Sequence, residues 1–368
     1  MSFFSPILDD PGTDVVEPGK DLRPTPERLR DKFGRAITDL RVSVTDRCNY
    51  KCVYCRTGNE GAQYTELPIA DYLRVVRLFV SLGVEKVRLT GGEPLLRSGL
   101  TEFVREIAAI RTAYLPDGTY AGVGLPGQPL DIALTTNGHL LEDLALPLKE
   151  AGLNRVTVSM DAVDAATFSA ITRVPRSFDR VLAGVRKAKD VGLGPVKVNC
   201  VLLRGFNDGQ IEQFAEFSRN EGVIVRFIEW MPLEEDRSWK RESVISMDEI
   251  VQRLNDYRPL VELPPHAASE TAKRFTFDDG IGEIGIIAPV SRPFCGHCSR
   301  VRLTSDGKIR TCLFSQSDHD LYGEMARGGT DAQLTAYIRR TVMHKEARHH
   351  IGEPGFQKPS RNMVHIGG

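Results

Sequence analysis

Cys48, Cys52 and Cys55 stand in the run RCNYKCVYC, three thiols within eight residues and no neighbouring Cys or His to make a fourth. Thiols this close point to a metal centre. Structural zinc takes four closed tetrahedral ligands, whereas an iron–sulfur cubane held by three thiolates leaves one iron open for a small ligand. The run follows directly on the alternating stretch LRVSVT at 40–45, the strand end where barrel enzymes place their chemistry. A second set, Cys295, Cys298 and Cys312, runs C-x2-C, thirteen residues, C. On spacing alone either His297 completes a zinc site there or three thiols hold a second open cluster.

Basic side chains recur in phase with the strands. Side chains on a strand point alternately to opposite faces. Leu40, Val42 and Val44 thus oppose Arg41, Ser43 and Thr45, while Val87 and Leu89 oppose Lys86, Arg88 and Thr90. Ile132 and Leu134 oppose Ala133 and Thr135; Val156, Val158 and Met160 oppose Arg155, Thr157 and Ser159. In the fifth stretch Val196, Val198, Cys200 and Leu202 oppose Lys197 and Asn199, which makes Cys200 a buried thiol and no ligand. The apolar set must face covering helices, so the basic set points inward. Unpaired charge is expensive to bury, and an ordinary barrel interior is filled with branched apolar residues. The expected lumen is therefore open and anion-binding, with Arg41, Arg88 and Lys197 as leading contacts and Lys86 and Arg155 behind them. The alternative is that buried carboxylates satisfy these charges.

The elements that must carry these residues read as parallel βα units. Alternating runs at 40–45, 86–92, 131–138, 155–162, 196–203 and 223–231 are separated by helical patterns such as 68–83 and 178–192. Six units are too few for a closed eight-unit barrel and enough for an incomplete, TIM-like (β/α)6 α/β barrel, placed at 33–239. Residues 1–32, rich in proline, are expected as a mobile arm; 114–129 is Gly/Pro-rich and expected as a surface loop. From 240 to 368 the rhythm changes to a helix at 246–257 and hairpins at 273–290 and 300–314. A further helix near 330–346 follows, and the tail ends in Gly-Gly. This region is expected as a subdomain against one side of the barrel.

Composition narrows the class. The 368 residues carry 48 Lys and Arg against 49 Asp and Glu, a formal net charge of −1, which argues against a protein that coats nucleic acid. No apolar run is long enough to cross a bilayer. The acidic, proline-rich N-terminus matches neither a signal nor a transit peptide. A cytoplasmic protein is expected, in which cysteine clusters mean metal or redox chemistry before disulfides.

C-x3-C-x2-C at a strand end, followed by GGEP at 91–94 on the next, resembles the radical S-adenosylmethionine (SAM) superfamily. Seven stretches in order extend the likeness over residues 33–315: LRVSVTDRCNYKCVYC, VRLTGGEPLLR, LTTNG, VTVSMDA, KVNCVLLRGFND, RFIEWMP and FCGHCSRVRLTSDGKIRTCLF. Together, with the terminal Gly-Gly, they resemble the GTP 3′,8-cyclase family, which performs the first step of molybdenum cofactor biosynthesis. The resemblance implies a 4Fe-4S cluster on Cys48, Cys52 and Cys55 that binds and cleaves SAM. It implies SAM contacts at Tyr54, Gly92, Ser159 and Met231, and GTP contacts at Arg41, Arg88, Thr135, Lys197, Arg300, Val301 and Arg302. It also implies a second 4Fe-4S cluster on Cys295, Cys298 and Cys312 whose open iron meets the guanine.

The implied reaction begins with one-electron cleavage of SAM to a 5′-deoxyadenosyl radical. That radical takes hydrogen from ribose carbon 3′ of GTP, and the ribose radical closes on guanine carbon 8. An electron donor such as flavodoxin or ferredoxin, a downstream cyclic pyranopterin monophosphate synthase, and a monomer or homodimer are implied as well. The family's Gly-Gly tail enters the active site. RTGNEG after Cys55 departs from the family pattern, and the 1–32 and 114–129 segments lie outside it. The rival readings are another radical SAM enzyme with an auxiliary cluster, acting in peptide maturation, and a non-catalytic iron–sulfur or zinc redox protein.

Overall fold

The computed structural model describes residues 27–55, 62–115, 119–121, 127–234 and 238–367. One twelve-stranded sheet organises them. Strands β1 (Asp39–Ser43), β2 (Lys86–Thr90), β3 (Asp131–Thr136), β4 (Arg155–Ser159), β5 (Lys197–Leu202) and β6 (Ile224–Glu229) lie side by side in chain order, all parallel. Helices Ile69–Ser81, Leu100–Ala108, Leu141–Glu150, Ala165–Thr172, Phe178–Asp190 and Ile211–Glu221 connect them. The six-unit incomplete barrel thus stands.

The remaining strands are β7 (Leu260–Leu263), β8 (Lys273–Phe277), β9 (Glu283–Ile287), β10 (Arg300–Leu303), β11 (Lys308–Arg310) and β12 (His319–Asp320). β9 adds in parallel to β6, with β8 and β7 antiparallel beyond it; β10 adds in parallel to β1, with β11 and β12 beyond. Residues 240–367 therefore do not lie against one side. Their strands extend both edges of the barrel sheet, and both expected hairpins are spliced into it.

Apolar alternation decides the faces. Leu40, Val42, Val87, Leu89, Val158 and Val198 are wholly buried beneath the helices. The helix Ile69–Ser81 answers with Tyr72, Val75, Val76 and Phe79, three and four residues apart, all buried. Each such side chain contributes roughly 1.5–3 kcal/mol of burial. The helix ends where Gly83 takes a φ of 103°, a conformation that favours glycine.

Residues 27–32 belong to the fold and not to a mobile arm. Leu29 is buried, its N–H donates to Leu82 O at 2.8 Å, and its carbonyl accepts from Ile37 at 2.9 Å. Arg28 pairs with Glu85. The apolar contact of Leu29 outweighs the local chain disorder that its proline-rich surroundings suggest. Residues 1–26, and the departing run RTGNEG at 56–61, lie outside the described residues. The 114–129 insertion is described in part: it doubles back through a Tyr114–Tyr120 bridge, and buried Tyr114 lies under Arg28, 5.3 Å away.

Candidate active site

The inner face of the curved sheet encloses a cavity of about 650 Å³, within the usual range for small-molecule sites. Arg41, Lys86, Arg88, Arg155, Lys197 and Arg226 all line it, as the strand alternation requires. The crowding is severe. Burial and then the neighbouring Arg300 and Arg88 pull Arg41 down to about 9. Burial above all takes Arg88 and Arg226 to about 10 and Lys197 to about 8.

The cations divide by partner. Arg155 and Lys86 turn to Asp131, at 2.5 and 3.7 Å, so their charges are satisfied within the protein. Among the described residues Arg88 reaches only the hydroxyls of Thr135 (3.2 Å) and Thr157 (3.3 Å), and Arg226 the Asn199 amide oxygen (2.9 Å) and the Thr157 hydroxyl (3.4 Å). Arg41 Nε is buried without a hydrogen-bond partner. Among the described residues none of Arg41, Arg88, Lys197 or Arg226 forms an ion pair with a carboxylate. Such a set attracts a multiply charged anion.

The cysteine loop closes one end. Cys48, Cys52 and Cys55 line the cavity. Burial, with Asp161, Cys55 and Cys48 nearby, pushes the Cys52 thiol well up. Iron would reverse that shift, since a coordinated thiol is held as thiolate. Two N–H groups already approach the Cys48 sulfur, from Tyr50 at 3.4 Å and Asn137 Nδ2 at 4.0 Å. Among the described residues no three His, Cys, Asp or Glu side chains close on a single-ion position. Three thiols with no fourth Cys or His beside them in sequence suit a cluster that brings its own sulfides.

The turn after β2 is fixed by backbone contact. A Cβ on Gly91 would stand 2.6 Å from Thr45 O, and one on Gly92 2.3 Å from Arg47 O. Glycine is demanded here by the chain entering the cysteine loop. Glu93, fully buried, accepts from Leu95 N (3.0 Å), Thr136 Oγ1 (2.7 Å) and Asn137 N (2.7 Å), and burial raises it to about 7. It ties the end of β2 to the end of β3.

Tyr54, Gly92, Ser159 and Met231 all line the cavity. The Tyr54 hydroxyl donates to Asp161 at 2.7 Å, and Asp161 also accepts from Val201 N at 2.8 Å. Thr135, Arg300 and Arg302 line it too, but Val301 does not. Its register partner is Leu40, on the helix-facing side, so alternation turns the Val301 side chain away and leaves only its backbone for contact.

The second cysteine set sits behind the wall. Phe294, Arg300 and Leu313 line the cavity there, and Arg300 Nη2 lies 3.5 Å from Cys298 Sγ. Burial raises the Cys298 thiol, but Arg300 and Lys345 outweigh it and hold it down to about 6. His297 is exposed and lines no part of the cavity. Cys200 is fully buried, as its phase requires. The chain end returns to the same wall: Met363 and Val364 line the cavity, and Arg302 donates to Gly367 O. Gly368 lies outside the described residues.

Arg226, Asp161 and Asp39 are cavity residues that the sequence reading passed over. The signal for Arg226 was available, since the same alternation sets it against Val225 and Phe227. The same alternation puts Asp39 in phase with Arg41 and Asp161 in phase with Ser159, but as acids they do not count among the inward cations.

Known proteins place the chain. The Radical SAM superfamily matches residues 42–218, and Molybdenum Cofactor Synthesis C matches 223–351. A GTP 3′,8-cyclase of Acidothermus cellulolyticus is 43% identical over 311 residues, covering 83% of this chain and 81% of that one. The GTP 3′,8-cyclase of Streptomyces coelicolor is 40% identical over 348 residues, covering 92% and 96%. In fold, the chain resembles Streptococcus suis SuiB bound to precursor peptide SuiA, with a TM-score of 0.59 at 14% identity over 89% of this chain and 77% of that one.

Proposed function

This chain belongs to the GTP 3′,8-cyclase family of radical SAM enzymes, and from that premise we propose how its cavity divides the labour. The activity is conversion of GTP to (8S)-3′,8-cyclo-7,8-dihydroguanosine 5′-triphosphate, the first step of molybdenum cofactor biosynthesis, with SAM and an iron–sulfur cluster. Cys48, Cys52 and Cys55 hold that cluster, which when bound with SAM supplies the electron for its cleavage to a 5′-deoxyadenosyl radical.

The protein's own part is placement. Tyr54, Gly92, Ser159 and Met231 surround SAM beside the three thiols. Arg41, Arg88, Thr135, Lys197, Arg300 and Arg302, with the backbone of Val301, receive GTP. Arg226 joins them from β6. The observation that carries this reading is the row of inward cations without carboxylate partners, facing the thiol end of one cavity. A triphosphate relieves their mutual repulsion, so the charge that destabilises the empty cavity becomes binding energy. Held between strand ends, the ribose meets the radical with water excluded, and side reactions are suppressed. The Tyr54–Asp161 bond and the Glu93 clamp keep the cysteine loop and the turn after β2 in register.

Cys295, Cys298 and Cys312 are proposed to hold a second cubane. The support is Arg300 Nη2, 3.5 Å from Cys298 Sγ, which with Lys345 lowers that thiol while burial raises those of Cys295 and Cys312. A small carrier of the flavodoxin or ferredoxin type is the proposed reductant.

Anaerobic reconstitution tests the assignment. About eight irons per chain without zinc are expected, together with 5′-deoxyadenosine whose formation rises when GTP is added. SAM cleavage indifferent to GTP would hand the chain to the peptide-maturing rival. One zinc and no cleavage would make it a non-catalytic protein.

A further inference from the structure

Asp39 opens β1 on the same inner face as Arg41 and lines the cavity. Its register neighbours are Arg300 on β10 and Lys86 on β2. Despite that company its Oδ1 is buried without a hydrogen-bond partner. Lys86 turns away to Asp131, and Arg300 Nη2 to Cys298. Among the described residues no cation closes on Asp39 as an ion pair. Its charge is felt only at a distance: burial dominates at Arg41, Arg88 and Arg300, and in each case Asp39 works against it.

A carboxylate oxygen buried without a donor is destabilising, and it repels phosphate. Whatever part of a ligand lies against it must bring an N–H or O–H. Its place selects which. Asp39 begins a five-residue strand whose other end leads into the cysteine loop, so it stands ~13 Å along the strand from Ser43. The ribose must face the cysteine end, where the radical forms. The end near Arg300 and Cys298 is left for the base, and guanine offers there a 2-amino group.

We propose that Asp39 reads the base, its carboxylate accepting a hydrogen bond from the 2-amino group of guanine, and that it thereby sets the preference for guanosine nucleotides. The proposal rests on the GTP reading of the cavity. Inosine triphosphate lacks the donor and leaves the carboxylate unpaired; xanthosine triphosphate sets a carbonyl oxygen against it.

The experiment is equilibrium binding of GTP, ITP and XTP to anaerobically reconstituted wild type, Asp39→Asn and Asp39→Ala, with iron content and thermal midpoint measured alongside. Wild type should prefer GTP over ITP by about 10- to 100-fold, with XTP weaker still. In Asp39→Asn, whose amide offers an acceptor oxygen and a donor nitrogen but no charge, GTP should weaken less than in Asp39→Ala, ITP should change little, and XTP should gain. Asp39→Ala should bring GTP and ITP together. A residue that merely tempers the surrounding cations would shift all three nucleotides alike, and that unchanged order overturns the proposal. So does a wild type that binds GTP and ITP equally, a result that needs no variant to fold. A wild type that binds no GTP overturns the reading of the cavity itself, and this proposal with it.

Discussion

Arg41 concentrates the conflict on which the site is built. Burial, Arg300, Arg88 and Arg226 all lower its affinity for a proton, and only Asp39 raises it. A base depressed in the fold from its ordinary value to about 9 makes the fold less stable as pH falls, and the whole penalty is in force below about 9. Arg41→Met should therefore stabilise nucleotide-free protein at pH 7 by on the order of 1–3 kcal/mol, seen as a higher thermal midpoint. The same change should weaken GTP binding tenfold or more while SAM binding persists. Calorimetry with each ligand and melting curves at pH 7 measure the two arms. A variant less stable without nucleotide would mean that Arg41 is a structural cation. Strand phase alone picked out Arg41, Arg88 and Lys197, because alternation is written in the residues themselves. It kept Lys86 and Arg155 in the same set, behind those three, since their neutralisation by Asp131 depends on a strand 45 residues from one and 24 from the other. The phase of Asp39 and Asp161 was equally legible, but their roles were not, for the matching reason: what distinguishes them is an absent or a distant partner.

At the scale of elements, the paired glycines after β2 set the distance between the strand end and the cysteine loop. Gly92 N donates to Thr45 O at 2.8 Å and Glu93 N to Arg47 O at 2.7 Å, so the turn is laced to the chain that leads into Cys48. A methyl group on Gly92 cannot be fitted 2.3 Å from Arg47 O without parting those two segments. Gly92→Ala should lower SAM affinity by more than tenfold and reduce iron held at the first cysteine set, with nucleotide affinity at the cation row less affected. Iron assay and SAM titration decide it; a variant with full iron and full SAM affinity would mean the turn is free to move. The six βα units were legible from period alone, as was the turn at Gly307, whose φ is 76°. The pairings β1 with β10 and β6 with β9 were not. Parallel contacts between remote segments leave no local pattern, and each strand reads in sequence as the arm of an ordinary hairpin.

For the whole molecule, the splicing of both edges by residues 240–367 brings the end of the chain home to its beginning. Arg361 is the fastening. Its guanidinium is nearly buried, binds Asp306 through two nitrogens at 2.9 and 2.8 Å, reaches Asp318 at 2.5 Å, and lies 4.2 Å over the ring of Tyr64. Tyr64 in turn meets His365 edge-on at 5.1 Å, two residues before Gly367 contacts Arg302. Four segments are thus joined at one side chain: the stretch after the cysteine loop, the β10–β11 turn, the loop approaching β12, and the tail. Arg361→Ala takes from Asp306 and Asp318 the cation they share, leaving Asp306 to Lys308 and Thr304 and Asp318 to Arg310, and removes the plate on which Tyr64 rests, a loss of about 2 kcal/mol. The tail should then open while the barrel, whose core lies elsewhere, stays closed. Amide exchange at 363–367 should accelerate by 30-fold or more, with exchange in β1–β6 unchanged and GTP affinity reduced through the loosened Arg302. Uniform acceleration throughout the sheet would show instead that Arg361 holds up the fold as a whole. Unaltered exchange in the tail would show that Arg302 and the apolar contacts of Val364 and Ile366 suffice to keep it docked.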